Sequence, residues 1–529
     1  MSRLAGSGAL ARLWLRRDRV RIATCVLAFV LVVLASSSSL KSLYPTVAER
    51  AKLARTLADN PAVVALRGPA RGLDSLGGLI TFQLGANGAV FVALMSLLLT
   101  GRYTRTEEER GRTELVRAAA VGRDAPVAAA VAVVAGADVL IGAGVTAVLL
   151  GLGQPLAGSL ALGASLTATG LVFAAVAAVT AQVTDSARAA HGLAAAVLGV
   201  AYVLRAAGDV GDGALSWLSP IGWGQMTRPF AGERPWPLLL SLAAIVALLA
   251  AARALQARRD LGAGLLAARP GPPAAGPRLA TPLGFAARLQ RSAVLAWTVG
   301  LFALGVTYGA VGADAGDLLD TSSGLQDFFD RGGAGVVDAF LATTLLLGAL
   351  VTAGFAVSSV LRLRAEESSG RAEPVLATAI GRRRWAGGHV AVAFGGAALV
   401  QVATGLGAGI AYAARGGGIE QVPRLAAAAL GQLPAVWVLA GLAAAGFGLG
   451  ARLGAVAWAA LAGAVLIALL GPILDLPAAV SDLSPFSHSP SLPGGDPHAA
   501  ALAILTAIAA ALVAVGLVAL GRRDIGAGG

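Results

Sequence analysis

Arg105 to Arg123 reads RTEEERGRTELVRAAAVGR, and 259 positions later Arg364 to Arg382 reads RAEESSGRAEPVLATAIGR. Eleven of the nineteen positions are identical without a gap. Each copy is a polar segment between long apolar stretches, and we name the two copies the first and the second island. A charged segment kept twice in an apolar chain predicts two homologous halves, each with a polar site that a soluble component can contact.

The composition indicates the environment of the chain. Of its 529 residues 57% are hydrophobic and only 13% are charged, and the mean hydropathy is +0.75. A soluble protein of this length could not keep so little charged surface, so we expect an all-α polytopic membrane protein. The net charge of +12 does not indicate a nucleic-acid partner, because the arginines cluster at the ends of apolar runs. The single Cys25 excludes a disulfide framework and a cysteine metal site, and we expect no cofactor in this chain.

Apolar runs predict about twelve transmembrane helices, since roughly twenty apolar residues cross a ~30 Å hydrocarbon layer. Six runs fall in each half, at about 22–39, 78–100, 126–150, 157–183, 191–206 and 237–256, then 292–312, 339–361, 390–413, 425–449, 455–474 and 499–520. The fifth run is the shortest because Arg205 and Gly208 end it early. With an even number of spans, both termini lie on one side.

Arginine counts indicate which side that is. The segments 1–21, 101–125, 256–291 and 362–388 carry six arginines each. The positive-inside rule therefore predicts a protein of the inner (cytoplasmic) membrane with both termini and both islands in the cytoplasm. The loop at 40–77 also holds six lysines or arginines, on the predicted outer side.

The repeat extends to the ends of both halves. RRDLGAG at 258–264 is repeated as RRDIGAG at 522–528. Residues 268–282 are rich in Pro, Gly and Ala and are typical of a cytoplasmic linker, so we predict six-helix halves at 1–267 and 283–529 in the same orientation. Because the second half opens internally in a similar way, the basic N-terminus is expected to precede an uncleaved span rather than form a signal peptide.

Proline and glycine predict a short helix inside each island. Pro374 is tolerated only in a first turn, which predicts a helix over 373–381. The corresponding helix is expected over Thr113–Gly122, with its first residue as N-cap and glycine as terminator. Glu114 and Glu373 then lie in first turns, where the helix dipole favours a carboxylate.

The islands also contain charges at a helical spacing. Glu108 precedes Arg112 by four residues, and Glu367 precedes Arg371 by four, which stabilises a helix if it continues that far. The alternative is that these charges only solvate a loop and satisfy topology. Retention of the same acids and glycines in two diverged halves favours a function.

Three further groups of residues are candidates. An amphipathic elbow helix is predicted before the first span of each half. The alternative is that its charges only set the orientation of the adjacent span. The elbow residues are Leu13, Trp14, Arg16 and Arg17 in the first half and Phe285, Leu289 and Arg291 in the second. Three polar residues lie within predicted spans: Gln83, Asn87 and Asp138. They are candidates to line a translocation path, and the alternative is that they form hydrogen bonds between helices. Acids expected to form an outer gate with the basic loop at 40–77 are Asp314, Asp317 and Asp320.

At the islands the chain resembles the membrane subunits of type-2 ABC exporters, whose EExxGxxExx(L/V)-like signature lies between the second and third spans. More narrowly, it is similar to the fused double-length permeases of polyketide-antibiotic exporters, the tetronasin-resistance type. The resemblance covers nearly the whole chain. It implies that the coupling to an ATPase is carried by Glu107, Glu108, Gly111, Arg112 and Glu114 and by Glu366, Glu367, Gly370, Arg371, Glu373 and Pro374.

This resemblance implies a partner, because the chain has no P-loop of its own. Such a loop needs Gly-Lys-Ser/Thr, and the only lysines, Lys41 and Lys52, follow Leu40 and Ala51. We expect a transport subunit, not an enzyme, with ATP and Mg bound by a separate homodimeric ATPase, one copy per island. An Ala/Leu/Val-rich bundle suits an amphiphilic or lipophilic substrate such as a polyketide antibiotic or drug-like compound.

Other functions stay open from the sequence. A secondary transporter is also built from repeats, but it typically carries ionisable residues at the midplane. A membrane-embedded enzyme needs a catalytic constellation, and no close metal-ligand spacing is formed by His191, His389, His488 and His498. A permease-like subunit for immunity or sensing has the same sequence features as an exporter.

Overall fold

The computed structural model describes residues 2–58, 61–260, 262–265, 273–312, 335–450, 453–474 and 477–524. The chain forms two compact units, Met1–Gly271 and Pro272–Gly529. The described residues are helical without a strand, which confirms the all-α class. The acids proposed for an outer gate, Asp314, Asp317 and Asp320, lie outside the described residues.

The first unit contains eleven α-helices among its described residues. In chain order they are α1 Ser7–Leu43, α2 Val47–Ala58, α3 Pro61–Arg67, α4 Leu76–Tyr103, α5 Arg105–Glu109, α6 Arg112–Arg117, α7 Ala125–Gly151, α8 Leu156–Val183, α9 Ala187–Val210, α10 Pro220–Met226 and α11 Leu238–Ala257.

The second unit follows the same plan in the part of the chain that the structure describes. Its helices are α12 Pro282–Gly312, α13 Val336–Ser368, α14 Ala372–Leu376, α15 Arg382–Tyr412, α16 Gln421–Gly431, α17 Leu433–Leu449, α18 Val456–Leu474, α19 Ala478–Ser481 and α20 Ala499–Arg522.

Eleven helices of the described residues are long and apolar enough to cross a membrane. They confirm a multi-pass protein, with six such helices in the first unit and five in the second. The remaining predicted span coincides with α18, of which the described apolar part is the shorter stretch Leu453–Ala468. A total of twelve spans stays a prediction.

The fifth span is longer than its apolar run suggested. It occupies Ala187–Val210, 24 residues, because Arg205 does not end the helix. Its guanidinium pairs with Asp209 one turn later at 3.3 Å and lies 4.4 Å from the centre of the Tyr202 ring. Arginine is a good helix former, and these contacts offset the cost of burying its charge, so the helix continues past the end of the apolar run.

Small residues bring the spans close together, as expected where helix packing in lipid depends on contact rather than on hydrophobic driving force. Gly309 of α12 lies against the backbone of Ala408 in α15, where a Cβ would have no room. Gly448 of α17 and Gly516 of α20 meet in the same way. Large buried side chains such as Phe173 and Phe355 fill the core of each unit.

The predicted elbow helices are not separate elements. Leu13, Trp14, Arg16 and Arg17 lie near the start of α1, a continuous helix of 37 residues. At 1.5 Å per residue it is roughly 55 Å long, well over a ~30 Å hydrocarbon layer, so the elbow is an extension of the span.

In the second unit the elbow residues likewise lie on an extended span. Phe285, Leu289 and Arg291 belong to α12, which has 31 residues. This helix starts with Pro282 after Thr281, whose hydroxyl accepts a hydrogen bond from Gly284 N at 3.0 Å. A capped proline start makes one uninterrupted helix.

Candidate functional site

The two islands fold in the same way at their centre. A helix ends just before Gly111 in the first and before Gly370 in the second, and each glycine has φ +70°. A Cβ at either glycine would meet nothing within 4 Å, so glycine is needed for the left-handed backbone and not for space. A short helix follows at once, α6 or α14.

These short helices differ from the sequence expectation in start and length. Thr113 is not the N-cap of α6, because the helix begins at Arg112 directly after Gly111. The helices end at Arg117 and Leu376, several residues before the predicted glycines. The chain reverses direction at a glycine in the left-handed conformation, and each short helix therefore begins earlier than the N-cap and proline preferences predict.

Glu107 and Glu366, the first acids of the Glu-Glu pairs, bind the arginines that follow the reversal. Glu107 Oε1 lies 3.3 Å from Arg112 Nη1, and Glu366 Oε2 lies 3.2 Å from Arg371 Nε. The predicted helical pairs of Glu108 with Arg112 and Glu367 with Arg371 are therefore wrong by one residue. The helix ends before the arginine, so the turn at glycine brings the preceding acid to it.

Glu108 and Glu367, the second acids, bind a more distant residue. Both oxygens of Glu108 accept hydrogen bonds from Arg259, 2.5 Å from Nη1 and 2.8 Å from Nη2. In the second unit Glu367 Oε2 accepts from Arg523 Nη2 at 2.7 Å. Arg259 and Arg523 correspond in the repeat, since they are the second arginine of RRDLGAG and of RRDIGAG. We name these two ion pairs the clasps.

The last arginine of each island binds the backbone of the same segment. Arg123 Nη2 donates to Gln256 O at 2.6 Å and to Arg259 O at 3.4 Å. Arg382 Nη1 donates to Arg523 O at 2.6 Å. Each island therefore holds the end of the last span of its half at two points, a guanidinium and a carbonyl.

Sequence reasoning did not identify the clasp arginines. Glu108 and Arg259 are 151 positions apart, so no local sequence pattern relates them. The duplicated Arg-Arg-Asp after the last span was the available signal, because its retention in both halves parallels that of the islands.

Burial divides the candidate coupling residues into two groups. The side chain of each acid of the two Glu-Glu pairs is less than a tenth exposed and faces its own half. The outward residues are Arg112, Glu114 and Leu115 in the first island and Arg371, Glu373 and Pro374 in the second. Glu114 and Glu373 lie in first turns, as expected. Only the second group is available to a soluble partner.

The first island is tied to more elements than the second. Glu109 Oε2 accepts from Ala187 N at 3.0 Å, at the start of α9. Arg17 of α1 reaches Glu107 Oε1 at 3.1 Å. Ser368 stands where the first island has Glu109, and a serine is too short for the same contact. The two halves therefore hold their islands with different stiffness.

Aromatic contacts anchor the start of α1 against the same region. Trp14 is buried and stacks on Tyr103, with ring centres 5.1 Å apart. Asp18 is buried and lies 3.1 Å from Arg102 Nη2. Leu13 and Arg16 face outward. The start of the first span and the first island therefore form one packed unit.

The residues proposed for a translocation path do not come together. Asp138 is fully buried in α7, and Ser96 Oγ donates to its carboxylate at 2.7 Å. Gln83 is partly exposed and Asn87 is exposed on α4. Gln83 lies thirteen residues before Ser96, roughly 20 Å along the helix. For Asp138 the contacts favour helix packing.

Comparison with known proteins identifies relatives of the whole chain. A family described as "Multidrug efflux system permease Rv1217c, C-terminal domain" matches residues 279–520. The "Multidrug efflux system permease protein Rv1217c" of Mycobacterium tuberculosis (strain ATCC 25618 / H37Rv) is 43% identical over 529 residues, covering 99% of this chain and 96% of that protein. An identity of this size over both full lengths, in a chain with eleven apolar helices long enough to span, shows common ancestry and fold. This chain therefore belongs to the family of multidrug efflux system permeases that includes Rv1217c.

Proposed function

We propose that this permease is the membrane-spanning subunit of a type-2 ABC exporter, of the fused polyketide-antibiotic (tetronasin-resistance-like) kind. A separate ATPase binds ATP and Mg and supplies the energy. The observation that carries the proposal is the common construction of the islands, in which an exposed short helix is held from behind by a buried clasp. A surface helix fixed to two spans is suited to receive force.

In this proposal the outward residues bind the ATPase and the clasps transmit its movement. α6 and α14 follow the closing of the nucleotide-binding subunits. The clasps pass that movement to the ends of α11 and α20, while the preceding helices pass it to α4 and α13. Rigid-body rocking of packed helices is an established way to convert a local shift into a change of access.

Two islands in one chain suggest two ATPase copies, most simply a homodimer. The first island, with its extra contacts from Glu109 to Ala187 N and from Glu107 to Arg17, is the stiffer link. Its partner copy would then drive the first half more directly than the second copy drives the second half. Orientation follows from the same assignment, with both islands and both termini in the cytoplasm and the protein in the inner membrane.

The cargo is proposed to be an amphiphilic or lipophilic compound, a polyketide antibiotic or a drug-like molecule. The relative's description as a multidrug efflux permease supports this class. So does the scarcity of charged groups in the described spans, which suits a lipophilic substrate better than a sugar or an ion.

Charge reversal on the outward residues tests the docking step. Glu114→Arg combined with Glu373→Arg should abolish co-purification with the ATPase while leaving the amount of folded permease unchanged, because both side chains are exposed. Glu233→Arg is the matched control, since Glu233 is an exposed acid at the opposite end of the first half. Undiminished complex formation and ATP-driven export in the double variant would refute docking through α6 and α14.

A further inference from the structure

A second polar site lies in the first unit, at the end of α4 remote from the island. It is a cavity of about 50 Å³. That volume holds roughly three or four water molecules, or one small charged group. Its lining includes Arg67, Arg71 and Arg228, and its floor includes the buried side chains Phe82, Leu162 and Ile221.

The cavity is positively charged on one side. Among its described lining residues none is acidic. Arg71 is exposed as a residue, but partial desolvation at the cavity, and then the charge of Arg228, lower the pKa of its guanidinium. Arg234 lowers this pKa further, while Asp209 acts in the opposite direction. A bound negative charge would relieve this repulsion, and the apolar floor strengthens any ion pair formed above it.

The backbone that carries Arg228 is strained. Arg228 has φ +49° and Phe230 has φ +58°, values that residues with a side chain rarely adopt. The Phe230 ring packs where Gly77 and Gly158 leave no room for a Cβ, and this packing holds the loop in place. Strain maintained by surrounding packing is typical of functional sites, and here it fixes an arginine at a cavity.

A buried amide adds a second polar signal. Gln225 lines the cavity, and its Oε1 is buried without a hydrogen-bond partner among the described residues, while Nε2 donates to Arg67 O at 3.5 Å. A buried acceptor oxygen without a donor is a cost that an oxyanion itself cannot remove, but a water molecule bound with it, or the O–H of a monoprotonated phosphate, can. Ser219 in the first half corresponds to Ser484 in the second, 265 positions later. The same offset places Pro490 at the position of Gln225 and Pro493 at the position of Arg228. The polar cavity therefore belongs to the first half.

We propose that this cavity binds an oxyanion, the carboxylate or phosphate of an amphiphile or of a small free anion. Arg71 and Arg228 would bind it through charge-assisted hydrogen bonds. The inference rests on the proposed function only for the side of the membrane, which would be the outer, release side. Anion binding itself needs neither the ATPase nor transport.

The test is binding of radiolabelled dodecyl phosphate to the full-length permease in phosphatidylcholine nanodiscs, without ATPase or ATP. Arg71→Gln and Arg228→Gln should each weaken binding about ten-fold or more, since each removes a charge-assisted contact. Glutamine keeps a Cβ, so the strained backbone at 228 costs no more than before. Arg228→Lys should restore most of the affinity and shows that a loss is not a folding defect.

Arg234→Gln is the matched control, because Arg234 is an exposed arginine near Arg71 that does not line the cavity. It should change the affinity less than three-fold. Competition by inorganic phosphate would identify a free anion as occupant, and competition by phosphatidylglycerol in the nanodisc would identify a lipid headgroup. Equal binding of dodecyl phosphate and dodecanol, or unchanged binding in Arg71→Gln and Arg228→Gln, would overturn the inference even if export is intact.

Discussion

Arg259 and Glu108 face each other through two parallel hydrogen bonds, although they are 151 positions apart in the chain. The guanidinium also donates to Gln182 Oε1 at 2.8 Å, and Gly262 N donates to Glu108 Oε1 at 2.8 Å. Bidentate pairing of this kind fixes orientation as well as distance. The end of the last span is thereby attached to the island with a defined geometry.

Removing the arginine of this clasp should destabilise the first half. Arg259→Met leaves the Glu108 carboxylate with Arg105, at 3.2 Å, and Gly262 N, at 2.8 Å, as its remaining partners. The loss should therefore be at or below about 3 kcal/mol, the lower end of the cost of breaking a buried pair. The apparent melting temperature of the purified permease, followed by tryptophan fluorescence, should fall by several degrees. Arg258→Met, one position earlier and exposed, is the control and should change it little. Equal melting temperatures for the two variants would show that the clasp contributes nothing.

The second clasp can be tested by exchanging its charges. Glu367→Arg places two guanidiniums together, and Arg523→Glu places two carboxylates together, so each should reduce folded yield and export. The double exchange should recover part of both. Recovery is incomplete because Arg523 also lies over the Phe447 ring at 5.0 Å, a contact that glutamate cannot make. A double variant worse than either single would argue against a direct pair.

The left-handed glycines of the islands should matter for coupling beyond their cost in stability. Gly111→Ala and Gly370→Ala create no clash, so each costs only the backbone strain, about 1–2 kcal/mol. Because the strain redirects α6 or α14, we expect ATP hydrolysis to lose its stimulation by substrate in the reconstituted complex.

Gly153 supplies the matched control for these glycines. It has φ +80° and also has nothing within 4 Å of a Cβ, but it lies between α7 and α8 at the end remote from the island. Gly153→Ala should lower the melting temperature as much as Gly111→Ala and keep substrate stimulation. Loss of stimulation in all three variants would indicate general destabilisation and not a role of the islands.

The sequence predicted the fold well because membrane spans depend on local composition. Apolar runs located eleven helices but not all of their ends. At Arg205 the end was misjudged because the charge is paired four residues later, and α1 and α12 start well before their apolar runs. Elbow helices were predicted because apolar and basic residues fall on different faces before each first span. Instead α1 is one continuous helix, and Trp14 and Asp18 pack against Tyr103 and Arg102 at the end of α4.

The candidate site was predicted only in part, because its contacts depend on the tertiary structure and not on local composition. Identity between the islands located the segment, and Gly111 and Gly370, where the chain reverses, are among the identical positions. The partners of Glu108 and Glu367 depend on where the last span ends in three dimensions, which no local pattern contains. Their low exposure was likewise not predictable, since a charged loop is expected to be exposed unless an arginine that pairs with it is known.

A last prediction separates two roles for the buried carboxyl group in α7. If Asp138 only packs helices, Asp138→Asn should keep the hydrogen bond from Ser96, since the amide oxygen accepts as the carboxylate does. Export and melting temperature should then stay within about two-fold and a few degrees of the parent. Asp138→Leu should instead lose stability, because it removes the buried hydrogen bond that joins α7 to Ser96 of α4. Gln83→Ala is the comparison, because Gln83 is partly exposed and lies far along α4. If Asp138→Asn instead alters which compounds are exported while the protein stays equally stable, the carboxyl group lies on the path, and the packing interpretation is wrong.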